Sequence, residues 1–167
     1  MIRKLIFLNI LILLPFAGLK AQNASSARVN STATIVEPIE IIKNVDLHFG
    51  NVISGYSAGT VVLAPDGSRT AVGVELSAAN PGEVSAAEAI VYHGDYSYSI
   101  TFPDNFRLFN ENNPNQFLMI DQFQVSPVAQ ESGSDILKIG ATLNLQANQL
   151  PGFYTNATGF NITVTYN

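Results

Sequence analysis

From Phe160 to Asn167 apolar and polar residues alternate: Phe160, Ile162, Val164 and Tyr166 on one side, Asn161, Thr163, Thr165 and Asn167 on the other. A period of two marks a strand with one face turned to a core. The same alternation recurs upstream. Tyr96, Tyr98, Ile100 and Phe102 alternate with Ser97, Ser99 and Thr101, and Leu137, Ile139, Ala141, Leu143 and Leu145 share one face of Ile136 to Leu145. Further strands are expected over Ala33 to Ile42, Leu47 to Ile53, Thr60 to Ala64, Thr70 to Leu76, Ala87 to Tyr92, Phe106 to Phe109, Phe117 to Ile120, Phe123 to Val128 and Phe153 to Thr155. Pro38 inside the first of these implies an edge or a bulge, because proline cannot donate to a ladder. Pro65-Asp66-Gly67-Ser68 reads as a hairpin turn. Asn80-Pro81-Gly82 and Gln149-Leu150-Pro151-Gly152 are further turns, and Asn110 to Gln116 and Gln130 to Asp135 read as loops.

About eight to ten short strands at this spacing predict an all-β protein, a sandwich or barrel. Clean alternation gives each strand one wet face, which favours an antiparallel two-sheet β-sandwich. No internal repeat points to a propeller or solenoid.

The first residues read differently. Arg3 and Lys4 precede an apolar run from Leu5 to Phe16 broken only by Asn9 and Pro15, and Leu19 and Ala21 fit cleavage after Ala21. This is the layout of a secretory signal peptide. The run is shorter than the about 20 residues a spanning helix needs. The expected organisation is a signal peptide over 1–21, a short N-terminal extension over 22–31 and a β-sandwich domain over 32–167. No membrane span is expected after signal removal. Export by the general pathway places the protein in the periplasm, at the cell surface or outside the cell.

Composition adjusts this picture in two ways. The chain has no Cys, so neither a disulfide nor a lipoprotein cysteine is available, and the core must suffice alone. After loss of Arg3, Lys4 and Lys20, five basic residues face thirteen acidic ones, a net charge of −8. An acidic chain without a basic cluster argues against nucleic acid and anionic lipid as partners.

Candidate chemistry is sparse. His48 and His93 are the two histidines, and their separation does not make a metal-ligand motif. There is no GxSxG elbow for a Ser-His-Asp nucleophile. Glu37, Glu40, Glu75, Glu83 and Glu88 are scattered, and nothing selects two as a glycosidase pair. No catalytic, cofactor-binding or metal site is expected. Two carbohydrate-type candidates stand beside a structural reading: the aromatics Tyr92, Tyr96, Tyr98 and Phe102 as a stacking platform or as core, and Asn110 to Gln116 as an amide-rich calcium or sugar loop or as polar surface. Asn23, Asn30, Asn156 and Asn161 head N-x-Ser/Thr triplets, which an Asn- and Thr-rich chain produces by chance.

Several segments together carry a resemblance. They are Ala33 to Ile41, Asp46-Leu47-His48-Phe49-Gly50-Asn51-Val52, Gly59 to Leu63, Tyr96 to Pro103, Gly140 to Leu145, Pro151-Gly152-Phe153-Tyr154 and the last strand. The chain resembles the bacterial secreted family catalogued as domain of unknown function 4402, itself similar to spore coat protein U domains and more distantly to chaperone–usher pilins. The resemblance implies an immunoglobulin-like, pilin-like sandwich in which an extended segment of another subunit adds as a strand. It implies that Phe160, Ile162, Val164 and the penultimate Tyr166 line the strand-addition interface. The chain departs from those pilins in lacking a disulfide, and its extension Gln22 to Ser31 is only weakly apolar, through Ala24, Ala27 and Val29. The function expected is a secreted, non-enzymatic, cell-surface structural or fimbria-like subunit whose partners are subunits of the same or a related type. The alternative is a soluble extracellular binding module, a carbohydrate-binding adhesin.

Overall fold

The computed structural model describes residues 24–130 and 133–167. The expected signal peptide, residues 1–21, and the first two residues of the extension lie outside the described residues. The chain divides into two units, Met1–Ile35 and Val36–Asn167. In the first, residues 24–35 are exposed and carry no strand.

The second unit is all-β, with every ladder antiparallel. Its strands are β1 Glu40–Val45, β2 His48–Phe49, β3 Val52–Ile53, β4 Gly59–Leu63, β5 Arg69–Val72, β6 Glu75–Leu76, β7 Val84–Ser85, β8 Ala87–Tyr92, β9 Tyr98–Thr101, β10 Asn105–Asn110, β11 Asn113–Gln130, β12 Ser134–Leu145, β13 Tyr154–Thr155 and β14 Thr163–Tyr166. One large sheet runs β1-β8-β12-β11-β10-β13, with β4 and β5 joined to β12. Against its inner face lie three two-stranded ribbons, β14-β9, β2-β7 and β3-β6. The two layers form the expected sandwich.

β12 is the central strand. Its first half pairs with β8, from Ser134↔Tyr92 to Ile139↔Ala87, and its second half with β4, from Ala141↔Leu63 to Leu145↔Gly59. Gly140 sits at the changeover. A Cβ there would run into the carbonyl oxygen of Leu63, so only glycine lets the two backbones approach this closely. Leu137, Ile139, Ala141, Leu143 and Leu145 of β12 are all buried, as their alternation predicts.

The core divides along that strand. Under β2, β3, β6 and β7, the buried residues Phe49, Val61, Leu63, Leu118, Ile120, Ala141, Leu143 and Leu145 pack with Val52, Leu76 and Val84. Under the β9–β14 ribbon, Ala87, Val91, Leu137 and Ile139 pack with Ile41, Tyr98, Ile100, Ile162 and Val164. Leu47 and Phe123 touch both groups.

Several expected elements change shape. The strand expected over Ala33 to Ile42 begins only at Glu40, after Pro38, whose missing N–H and fixed φ resist pairing; residues 33–38 are exposed and unpaired. Leu47 to Ile53 is two short strands, split at Gly50, whose φ is 72°. Thr70 to Leu76 is likewise broken at Gly73. The loop expected over Asn110 to Gln116 is a tight turn, with Asn110↔Asn113 closing the hairpin. Phe117 to Ile120 and Phe123 to Val128 are one strand, β11, interrupted by a bulge between Asp121 and Gln124, where Gln122 takes φ 48°. The inserted residue reverses parity: Leu118 and Ile120 point inward before it, Phe123 and Val125 after it.

Candidate strand-addition surface

β14 is built from the last alternating segment. Thr163↔Thr101, Val164↔Ile100, Thr165↔Ser99 and Tyr166↔Tyr98 fix its register on β9. Period two then puts Val164 and Ile100 side by side against the core, and the Thr and Ser residues on the outside. Ladder pairing covers Thr163–Tyr166, so the strand is shorter than the alternation. Phe160 and Ile162 precede it yet keep the same facing: Phe160, Ile162, Val164 and Tyr166 are all half-buried, while Asn161, Thr163, Thr165 and Asn167 are exposed.

Each of the four anchors has identified neighbours. The Phe160 ring lies 4.8 Å from Phe123 and 5.7 Å from Phe106, centroid to centroid. Ile162 and Val164 pack on the cluster of Ala87, Val91, Leu137 and Ile139. The Tyr166 ring meets Tyr96 edge-on at 5.6 Å. Its hydroxyl donates to the carbonyl oxygen of Glu37 at 2.9 Å and lies 3.3 Å from that of His93. The end of the strand is fastened by the Asn167 N–H on the Ser97 carbonyl at 3.2 Å and by a Ser99 Oγ to Asn167 Oδ1 hydrogen bond.

The ribbon stops at two strands. Among the described residues β14 pairs with β9 and β9 with β14, and neither has a second strand neighbour. Each therefore presents a row of N–H and C=O groups with no ladder partner, which is the geometry that accepts an added strand.

Beside the ribbon, the turn after β8 gathers titratable groups. The hydroxyl of Tyr98 donates to Asp135 Oδ2 at 2.6 Å. Burial first, and then the Asp135 carboxylate through its hydrogen bond and charge, hold this phenol far above the ordinary tyrosine range. His93 Nε2 lies 3.5 Å from the same Oδ2, and Nδ1 lies 2.9 Å from the carbonyl oxygen of Tyr96. The His93 and Tyr98 rings are 4.9 Å apart. Sequence reading missed this cluster because residues 93 and 135 meet through the β8–β12 pairing and Tyr98 reaches them only through the packing of β9 on the core.

The other candidates are placed elsewhere. Tyr98 and Phe102 pack in the core, with Phe102 stacked on Phe123 at 5.5 Å, while Tyr92 and Tyr96 are 45% and 44% exposed. The four therefore make no common platform. The amide-rich stretch is occupied with its own backbone: Asn110 Oδ1 accepts from the N–H groups of Asn112 and Asn113, and Asn113 Oδ1 from that of Asn115. His48 Nε2 faces Glu83 at 3.7 Å, far in sequence from the other histidine. No group of three or more His, Cys, Asp or Glu side chains among the described residues could hold a metal ion. An open cavity of about 320 Å³ is lined by Ala64, Pro65, Asp66, Ser126 and Lys138 on the outer face of the large sheet.

Compared with known proteins, the chain matches a family model described as Domain of unknown function (DUF4402) over residues 39–166. No curated protein and no solved structure gives a significant match.

Proposed function

The chain belongs to the DUF4402 family of domains of unknown function, and we propose that it serves as a secreted, non-enzymatic bacterial cell-surface subunit of fimbria-like kind, assembling by strand addition. On this reading the sandwich is immunoglobulin-like and pilin-like, and subunits of the same or a related type are its partners. The observation that carries the reading is the β9–β14 ribbon: a two-stranded layer over half of the core, unpaired on its outer edges, with Phe160, Ile162, Val164 and Tyr166 only half-buried. An added strand would complete the ladder and cover the remaining apolar surface.

Residues 24–38 have the character of the segment to be added. They are exposed and form no strand, with Val29 85% and Ile35 96% exposed. Ala27, Val29, Ser31, Ala33 and Ile35 alternate with Arg28, Asn30, Thr32 and Thr34, a small-to-apolar row of period two. Such a stretch from one copy can complete the ribbon of the next.

The test is assembly of the mature chain. Sedimentation and electron microscopy over rising concentration should reveal polymers, and a synthetic peptide of residues 24–38 should cap them and raise the melting temperature. A chain that stays monomeric at every concentration and ignores the peptide would overturn the proposal. The alternative, a carbohydrate-binding module, draws on the exposed rings of Tyr56 and Phe153, 94% and 65% exposed; glycan-array binding abolished by their replacement would favour it.

A further inference from the structure

His93 is placed where its protonation changes what it can bond. The carbonyl oxygen of Tyr96 only accepts, so the Nδ1 atom 2.9 Å from it carries a proton. In the neutral ring Nε2 then has only a lone pair. That atom is buried and without a hydrogen-bond partner, and it faces Asp135 Oδ2 at 3.5 Å. Two acceptors confront each other, in a place where His93 and Asp135 side chains are 17% and 18% exposed. Tyr98, its proton held by burial and by the carboxylate, stays a donor to Oδ2 and does not relieve the confrontation.

We propose that His93 and Asp135 form a proton-operated clasp on the C-terminal strand. A proton taken from solvent onto Nε2 turns the lone pair into a donor to Asp135, and the imidazolium then bridges Asp135 and the Tyr96 carbonyl. That bridge fixes the turn 93–96. The turn in turn holds β14, because the carbonyl oxygen of His93 lies against the Tyr166 hydroxyl at 3.3 Å, and the Tyr96 ring meets the Tyr166 ring. The same turn is tied to the β11–β12 hairpin by the N–H groups of His93 and Gly94 on the Gly133 carbonyl, both at 3.0 Å. The titratable groups facing His93 are Asp135 from β12, Tyr98 from β9 and Tyr166 from β14. Asp95, in its own turn, is exposed.

Protonation of Nε2 supplies the donor, so acid closes the clasp and alkali opens it. Resting on the strand-addition reading, this makes the β14 edge more rigid and less yielding to an incoming strand in acid.

Amide hydrogen exchange of Thr163–Tyr166 in the mature chain, corrected for the intrinsic effect of pH, tests the clasp. Exchange should be about tenfold slower at pH 5.5 than at pH 8, the size of effect that one hydrogen bond to a charged group supplies. The difference should vanish in both His93→Phe and Asp135→Asn and persist in His48→Gln. Equal protection at the two pH values in the wild type, or a difference retained by Asp135→Asn, overturns the proposal. The readout is taken on the monomer, below any assembling concentration. A pH-dependent clasp in a chain that never captures the residue 24–38 peptide therefore supports the clasp and sinks the strand-addition reading alone.

Discussion

Phe160→Ala separates a strand that closes the core from one that merely lies on it. The Phe160 ring packs on Phe123 and Phe106, at 4.8 and 5.7 Å. Truncating a fully buried Phe to Ala costs about 3–5 kcal/mol. Phe160 is half-buried, so roughly half of that applies, about 1.5–2.5 kcal/mol, aromatic contacts included. In a domain of this size each kcal/mol moves the melting temperature by about 2–4 °C, which gives a fall of about 3–10 °C. Phe153→Ala is the matched control. Phe153 is the same residue type seven positions earlier, but it is 65% exposed, and its loss should change stability by no more than about 0.5 kcal/mol. Urea unfolding followed by circular dichroism and tyrosine fluorescence measures both, the chain having no Trp. The midpoint should fall for Phe160→Ala at unchanged slope. Equal midpoints for the two variants would refute the claim that this segment is part of the core.

Two further outcomes follow from single contacts. Gly140→Ala places a Cβ against the Leu63 carbonyl oxygen and the backbone of Ala64 and Pro65; expect a loss at or above the upper end of the about 1–3 kcal/mol usual for overpacking, seen as a lowered urea midpoint or insoluble expression. Alkaline titration should show Tyr98 ionising well above the ordinary tyrosine range. Because the folded Tyr98 value lies above the unfolded one of about 10, its contribution to stability is complete below about pH 10 and is lost as pH rises toward the folded value. Tyr98→Phe should flatten that alkaline loss.

What could be read from the sequence followed from local rules. The Pro65–Ser68 turn is fixed by its own residues: the Ala64 N–H donates to the Ser68 carbonyl, the Gly67 N–H reaches the Ala64 carbonyl, and Asp66 Oδ1 accepts from the Ser68 N–H. The alternation of Ile136 to Leu145 and of Phe160 to Tyr166 held, because burial on one face leaves no freedom of register. What could not be read depended on partners distant in the chain. The β11 bulge looks like a gap between two strands, since one inserted residue shifts the apolar positions from even to odd. Residues 33–38 alternate like a strand but form no ladder among the described residues. His93, Tyr98 and Asp135 carry no motif, and only strand pairing brings them together.

The edges of the sandwich differ in how they are guarded, and the difference singles out the β9–β14 ribbon. Unpaired edges invite association, and natural sheets blunt them with Pro, charge, bulges or brevity. β13 has two residues. β5 carries Arg69, and β1 carries Glu40 and Lys43 just after Pro38. The far half of β11 has Pro127 and lies beyond the Gln122 bulge. Thr163-Val164-Thr165-Tyr166 has none of these, neither proline nor charge nor bulge, and its partner Tyr98-Ser99-Ile100-Thr101 is as bare. If that bare edge is kept for strand addition, installing a guard should block assembly and spare the fold. Thr165 is exposed, so Thr165→Lys should alter stability by no more than about 0.5 kcal/mol. Sedimentation should then find a folded monomer where the wild type polymerises. Polymers of normal length from a folded Thr165→Lys chain would show that the contacts run through some other edge.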